Sequence, residues 1–357
     1  MHVLTQWFKH TFSDPQVVFL TVFLLVATVL VLTVGNMLMP VLASAVIAYL
    51  LEGIVSLLER KGVNRLFAVV SVFIGFILFV VIVLFGLIPA VSRQMSQLVN
   101  QLPDFVAQGQ QALMKLPDEY PDYISTAHIQ EIFLVIRREM TEFGQEIVTL
   151  SLSSVVGVIT IMIYLVLMPL LVFFFLKDKQ LINEWFTSFL PSERTFASQV
   201  WKDVDRQVAN YVRGKFWEII IVWAVSVVVF SMMGLQFAML LAVLVGLSVI
   251  IPYIGAAVVT IPVLLIAWFQ WGWGPDFIWL MVAYGVIQAL DGNVLVPMLF
   301  SEVVNLHPVA IVVAILFFGG IWGFWGVFFA IPLATLVQAV ITSWPGIKVP
   351  QETASSG

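Results

Sequence analysis

The longest stretch without positive charge sets the strongest limit on the fold of this chain. No lysine or arginine occurs between Lys215 and Lys348. The acids within this stretch are Glu218, Asp276, Asp291 and Glu302. Soluble domains carry charges far more densely, whereas a helix of about 20 apolar residues crosses a bilayer. The stretch therefore predicts several membrane-spanning helices.

Composition extends this prediction to the whole chain. Hydrophobic residues make up 61% of the 357 residues and charged residues 10%. The apolar runs show no alternation, which excludes a transmembrane β-barrel. The net charge of −5 argues against a nucleic-acid partner, and the lack of cysteine excludes disulfides and thiolate metal sites. We predict an all-α, polytopic helical membrane protein.

Polarity divides the chain into regions. In order, we predict a three-span region (1–88), an extracytoplasmic acidic region with amphipathic helices (89–148), a fourth span (149–176), basic cytoplasmic linker helices (177–215), a C-terminal transport core (216–343) and a cytoplasmic tail (344–357). The first three spans are 17–34, 37–51 and 66–88. Prolines at 103, 117 and 121 are expected to break the helices of the acidic region.

Basic residues near span ends predict the orientation. Arg60, Lys61 and Arg65 lie within a few residues of one another, and seven further basic residues fall in 177–215. Because such residues favour the cytoplasmic side, both clusters are predicted to be inside and the region 89–148 outside. Counting crossings then places the N-terminus in the cytoplasm, and the tail is predicted to lie there too.

Two long apolar segments, 237–269 and 306–343, are interrupted by glycine and proline. Each is too long for one span and too short for two full spans with a turn. Irregular backbone at membrane depth needs protein or water partners, so paired interruptions indicate broken or re-entrant helices at a transport site. The alternative is kinked spans that pack through small residues. The predicted helix-break and gating residues are Pro252, Tyr253, Gly255, Gly292, Pro297, Gly319, Gly320, Gly323 and Gly326.

Asp291 is the acid whose position most needs an explanation. Tyr284, Gln288 and Asp291 are spaced i, i+4 and i+7, so a helix places them on one face, where the first two could donate hydrogen bonds to the carboxylate. Gly292 would let the chain leave helical geometry and bring Asn293 to the same side. A carboxylate within hydrocarbon is costly and commonly functional, and it can exchange a proton for a cation or solute. The alternatives are an acid buried for helix packing and a loop residue at the interface.

Two titratable residues, Glu302 and His307, follow this helix. They are candidates for a proton relay. The alternative is a location at the membrane interface, which is the commoner one for such a histidine. The chain has no His-Glu-x-x-His, no Gly-x-Ser-x-Gly and no phosphate-loop motif. We therefore expect no enzyme activity, no metal site and no cofactor.

Several motifs, taken in order, resemble those of one family. They are Pro252-Tyr253-Ile254-Gly255, Gln288 with Asp291-Gly292-Asn293 and Pro297, Leu306-His307-Pro308, Gly319-Gly320, Gly323 to Gly326 leading to Pro332, Leu176-Lys177-Asp178, and Tyr211 to Lys215. As a set they resemble the autoinducer-2 exporter family of bacterial permeases. The resemblance implies an inner-membrane permease of about eight spans that forms a homo-oligomer, with a pentamer as the expected form. It also implies export of small polar signalling molecules, or exchange of sodium or lithium for protons.

We therefore predict a secondary transporter for a small polar solute or a cation, coupled to protons through Asp291. Its partners would be the transported species, with the proton and sodium as candidate cations, together with membrane lipid and further copies of the chain. One alternative is a passive oligomeric channel. The other is a membrane scaffold or regulator that acts through the region 89–148 and transports nothing.

Overall fold

A computed structural model describes the helical framework of the chain. It covers residues 15–115, 117, 125–127, 129–136, 138–139, 142, 154–188, 195–300 and 306–343. Regular structure within these residues is helical, which confirms the predicted all-α class. The predicted relay residue Glu302, both chain ends and most of the acidic region after Lys115 lie outside the described residues.

The helices of the described residues are numbered in chain order. They are α1 (Pro15–Arg60), α2 (Arg65–Ile82), α3 (Ile88–Leu113), α4 (Ser154–Lys177), α5 (Lys179–Ser188), α6 (Thr195–Met232), α7 (Ala238–Ser248), α8 (Ile254–Trp271), α9 (Pro275–Leu290), α10 (Val296–Phe300), α11 (Pro308–Phe328) and α12 (Ala330–Ser343). Two π-helical turns, Val83–Leu87 and Asp291–Leu295, join α2 to α3 and α9 to α10.

Six helical segments of the described residues are long and apolar enough to cross a membrane. They are Pro40–Arg60, Arg65–Leu113, Gln207–Met232, Ile254–Trp271, Pro275–Phe300 and Val309–Phe328. The apolar stretches Met162–Lys177 and Ala238–Ser248 are shorter. The predicted count of about eight spans is therefore not established by length and composition alone.

The first helix corrects one prediction. The segments 17–34 and 37–51 were expected to be separate spans, but both lie on the 46-residue helix α1, with Pro40 inside it. Proline is tolerated in membrane helices where neighbouring groups satisfy the backbone. The Ser44 hydroxyl donates to the Pro40 carbonyl oxygen at 2.6 Å. The predicted cytoplasmic N-terminus depended on two crossings in this part of the chain. A single helix does not provide them.

The second correction concerns the start of the acidic region. The helix that begins at Arg65 does not end at the predicted boundary near Pro89, because a π-helical turn carries it into α3. A π-turn changes the hydrogen-bond register just before a residue that lacks an N–H group. Pro103 also lies inside α3 and does not break it, contrary to the prediction.

The chain folds into two compact units. The first comprises the described residues of 1–73, 168–218 and 292–357, and the second comprises those of 74–167 and 219–291. In the first unit α11 packs against α12, and in the second α7 packs against α3 and α8. Each unit therefore contains a pair of adjacent apolar helices that corresponds to one of the predicted interrupted segments.

In the second unit, α3 is fastened to the α7–α8 helix pair. The Gln94 side-chain oxygen accepts a hydrogen bond of 2.8 Å from the backbone N–H of Leu240, in the first turn of α7. First-turn N–H groups have no partner within their own helix, so this contact caps α7 from outside. The ring of Phe105 stacks on that of Phe269 with centroids 4.7 Å apart. The start of the predicted acidic region is thus part of the packed unit.

Candidate functional site

The α7–α8 pair is a hairpin with a strained tip. Tyr253 has φ 63° and ψ −50°, and the Ile254 N–H donates to the Pro252 carbonyl oxygen at 2.7 Å. This is a γ-turn with a positive central φ, a rare conformation for a residue with a side chain. The helical path is therefore broken between Ser248 and Ile254, next to the predicted break at Pro252 to Gly255.

Gly255 allows the two arms of this hairpin to meet. A Cβ atom added there would lie 1.7 Å from the carbonyl oxygen of Ser248, on the opposite arm. At the other end, Gln270 accepts from the Gln236 N–H at 2.7 Å and donates to the Gly234 carbonyl oxygen at 2.8 Å. The tip is thus held by close backbone contact and the base by a glutamine clamp.

A polar column crosses from α9 to α8 inside the second unit. The Thr260 hydroxyl oxygen lies 2.7 Å from the Ala256 carbonyl oxygen and 3.0 Å from Tyr284 Oη. A hydroxyl has one proton, and a carbonyl can only accept, so Thr260 donates to Ala256 and accepts from Tyr284. Tyr284, which is 4% exposed, accepts in turn from Gln288 Nε2 at 2.5 Å. The prediction that Tyr284 donates to Asp291 is therefore wrong.

Removing the central hydroxyl of this column should weaken the second unit. Tyr284→Phe leaves Thr260 and Gln288 without a shared partner in a buried place, and we expect a loss of about 1–3 kcal/mol of stability. Thermal unfolding of the purified protein in detergent measures this loss. Tyr164→Phe, at an exposed position on α4, is the control and should change little. Equal melting of the two variants would contradict the described hydrogen bonds of the Tyr284 hydroxyl.

Asp291 lies where α9 gives way to the π-helical turn. It is the C-cap residue of α9, it is half-buried, and its Oδ1 atom is shielded from solvent. We predicted that the chain leaves helical geometry at Gly292, but it does not. The turn Asp291–Leu295 keeps the chain helical, with the i to i+5 hydrogen bonds of a π-helix. Gly292 and Asn293 are exposed. Such π-turns within helices are frequent at functional sites.

The α11–α12 pair repeats the hairpin design in the first unit. Gly323 has φ 58° and ψ −135°, which interrupts the helical path inside α11. A Cβ atom added at Gly326 would lie 1.9 Å from the Phe318 carbonyl oxygen, and one at Gly319 would lie 2.7 Å from the Val327 side chain. The helical path of the segment 306–343 is thus interrupted at Gly323, where the sequence predicts a break. Gly320 has open space around its would-be Cβ position. The described residues of each unit include a hairpin in which a glycine permits close backbone contact.

The remaining predicted residues lie elsewhere. Pro297 is exposed on α10. His307 is exposed at the start of α11, where its Nδ1 atom accepts from the Val309 N–H at 3.3 Å and caps the helix. A relay role for His307 stays a prediction.

Sequence reasoning missed a buried ion pair in the first unit. Lys215 Nζ donates to Glu218 Oε2 at 2.7 Å, with side-chain exposures of 5% and 2%. The predicted boundary between the linker helices (177–215) and the transport core (216–343) would place both residues at the edge of a span. Instead α6 starts at Thr195, so residues 215 and 218 lie well inside a continuous helix. Their i, i+3 spacing and opposite charges were the available signal.

An aromatic ring completes the surroundings of this pair. Lys215 Nζ lies 5.3 Å from the centroid of the Phe300 ring, within the range of a cation–π contact. The same ring lies 5.8 Å from that of Tyr211, which is 1% exposed. A Cβ atom on Gly214 would come within 2.6 Å of the Phe300 ring. The end of α10 is therefore seated directly on α6.

Comparison with known proteins connects these features to one family. The model of the AI-2E family transporters matches residues 17–346. PerM of Escherichia coli K12, assigned as a permease, is 43% identical over 352 residues, which cover 99% of this chain and 100% of PerM. YueF of Bacillus subtilis, assigned as a transport protein, is 25% identical over 93% of this chain and 92% of its own length. With its long apolar helices, the chain is an integral membrane protein, and it belongs to the AI-2E transporter family.

Proposed function

We propose that this protein is a secondary transporter of the bacterial inner membrane that moves a small polar solute or a cation against protons. The carrying observation is Asp291, a half-buried acid with its Oδ1 atom shielded from solvent, at a π-helical turn that directly follows the polar face of α9. Acids within membrane helices mark ion and substrate pathways by default, because their burial is otherwise costly. The family, made up of permeases and transport proteins, supports the same class of function.

The α7–α8 hairpin supplies an element of the second unit that can move beside such a site. Discontinuous helices near the bilayer midplane form substrate sites in many secondary transporters. Tyr253 holds a positive φ, and such strain is commonly stored at binding and switch sites, whereas glycine adopts the positive φ of Gly323 at little cost. We propose that the residues flanking Tyr253 gate access to Asp291, which lies in the same unit, and that each hairpin re-enters the membrane.

The fastening of α3 favours transport over the scaffold alternative. A scaffold acting through the region 89–148 would need that region as an accessible surface. The side chains of Gln94 and Phe105 instead contact the base of the α7–α8 hairpin. The start of the region thus supports the hairpin. We further propose, from the family resemblance, that the protein assembles as a homo-oligomer, a pentamer, with both termini cytoplasmic.

Asp291→Asn should abolish coupled transport while the protein still folds. The amide keeps the size of the side chain but can no longer exchange a proton. The test uses proteoliposomes with an internal pH-sensitive dye, which are exposed to gradients of sodium, lithium and a panel of small polar solutes. Wild-type protein should move protons in response to at least one gradient, and Asp291→Asn should move none above empty vesicles.

The control is Asp276→Asn, which changes an exposed acid in the first turn of the same helix. It should transport like the wild type. Normal proton movement in Asp291→Asn would end the proposal that this acid couples the cycle. Solute flux that is the same with and without a pH gradient in the wild type would identify the passive channel instead.

A further inference from the structure

The starting point is a buried serine that lacks a partner. The buried polar side chains of the described residues are Ser44, Lys215, Glu218, Ser226 and Thr335. Ser44 and Thr335 bond to backbone carbonyl oxygens of their own helices, and Lys215 bonds to Glu218. Ser226 is 0% exposed, yet its hydroxyl has no hydrogen-bond partner among the described residues.

A second donor lies one turn away on the same helix. Trp223 Nε1 is also shielded from solvent and has no partner within the described part of the chain. Helical serines commonly bond back to the preceding turn, as Ser44 does, so an unused serine hydroxyl is unusual. Leaving such groups unpaired costs about 1–3 kcal/mol each, and each case calls for an explanation. The two side chains, spaced i and i+3, are neighbours on one face of α6.

Contacts place these donors beside the polar column. Trp223 packs against Gly246 near the tip of the α7–α8 hairpin, since a Cβ atom there would lie 2.7 Å from the Trp223 Cβ. Phe230, on the same face of α6, has its ring centroid 6.1 Å from that of Tyr284. Ser226 lies between these two contact points. It is thus in the core formed by α6, the hairpin and α9.

The direction of the helices refines this placement. The Gln270 clamp brings the end of α6 and the end of α8 together, and α9 begins a few residues later, so α6 and α9 run antiparallel. One turn inward from Phe230 is Ser226, and one turn inward from Tyr284 is Gln288. Ser226 therefore lies one turn further into the unit than the contact between Phe230 and Tyr284, and Trp223 lies about one turn further still.

We propose that Trp223 and Ser226 form a binding subsite for an oxygen atom that accepts hydrogen bonds, carried by the transported solute. An indole N–H can only donate and carries partial positive charge, so it suits a carbonyl, carboxylate or hydroxyl oxygen and repels a bare cation. This inference rests on the proposed transport function. Within it, the subsite selects an oxygen-bearing solute over sodium, lithium or the proton alone.

The first test measures stability without any ligand. Ser226→Ala removes an unused hydroxyl, so the unfolding temperature of the full chain in detergent should stay the same or rise. Ser44→Ala is the matched control, because it removes an equally buried hydroxyl that donates at 2.6 Å. That variant should melt at a lower temperature. A loss in Ser226→Ala as large as that in Ser44→Ala would show that the hydroxyl is structurally bonded and would overturn the proposal.

The second test observes Trp223 directly. The full chain is labelled with 5-fluorotryptophan, and its fluorine NMR signal is assigned by its absence in Trp223→Phe. Acetamide and choline acetate should shift this signal in a saturable way, whereas sodium or lithium chloride at equal ionic strength should not. Ser226→Ala should weaken the response to the oxygen probes about fivefold, the typical effect of one lost hydrogen bond.

Each outcome of the probe experiment decides the inference. A shift with the salts alone, or with none of the probes, would overturn it. An unchanged affinity in Ser226→Ala would also overturn it. Failure of the proposed function is seen separately, because normal proton movement in Asp291→Asn would refute coupling through that acid while leaving the Trp223 signal and its dependence on Ser226 unaffected.

Discussion

Gly255→Ala is expected to destabilise the second unit severely and to reduce the yield of folded protein. The added methyl group would lie 1.7 Å from the Ser248 carbonyl oxygen, and this neighbour is backbone that cannot rotate away. The hairpin arms would have to separate, which also disturbs the turn at Tyr253. We expect a loss of at least about 3 kcal/mol, at the upper end of overpacking effects. Fluorescence-detected size-exclusion chromatography and thermal unfolding measure both consequences.

The control for this change is another glycine in the same unit. Gly285, inside α9, has open space around its would-be Cβ position. Gly285→Ala should therefore leave folding intact and stabilise the helix by about 0.5 kcal/mol. The corresponding residue of the other hairpin, Gly326, should behave like Gly255, since its Cβ would meet a carbonyl oxygen at 1.9 Å. A stable Gly255→Ala protein with normal melting would contradict the described hairpin contact.

Replacing one partner of the buried ion pair should lower the stability of the protein by a similar amount. Lys215→Met leaves the Glu218 carboxylate without its 2.7 Å donor in a site where it is 2% exposed. Loss of one partner of a buried pair costs about 3–5 kcal/mol, because the other charge stays in an apolar environment. We expect Lys215→Met to unfold at a much lower temperature and to be poorly recovered from membranes.

Two comparisons separate charge from packing in this result. The double variant Lys215→Met with Glu218→Leu removes both charges and should recover most of the lost stability, because apolar replacements of buried pairs are often neutral. Arg138→Gln breaks an exposed pair with Glu142, whose side chains are 78% and 57% exposed, and should cost less than about 1 kcal/mol. If Lys215→Met melts like Arg138→Gln, the pair is not buried in the folded protein.

The parts of this fold that could be predicted are those carried by local sequence. Pro252 and Gly255 mark one hairpin and Gly323 and Gly326 the other, because glycine and proline act on their own backbone. Helix ends were harder, since Gly35 and Pro103 lie in stretches that remain helical. Hydropathy alone cannot show where tertiary packing extends a helix.

Only the part of the candidate site that depends on local sequence could be predicted. The face shared by Tyr284, Gln288 and Asp291 follows from helical spacing. The bonding of Tyr284 to Thr260 does not, because it joins helices that are distant in sequence. The burial of Glu218 depends on α6 extending far upstream of the apolar run, and the unused hydroxyl of Ser226 depends on what surrounds it.

The order of donors in the polar column also bears on proton leakage. Tyr284 already gives its one proton to Thr260, and the group on its other side is the amide of Gln288. A carboxamide shares its hydrogens but does not release them at ordinary pH, so it interrupts any Grotthuss-type hopping along the column. In the proposed carrier, Gln288 would thus serve as an insulator beside Asp291. Protons would then not leak across the membrane along this column between carrier cycles.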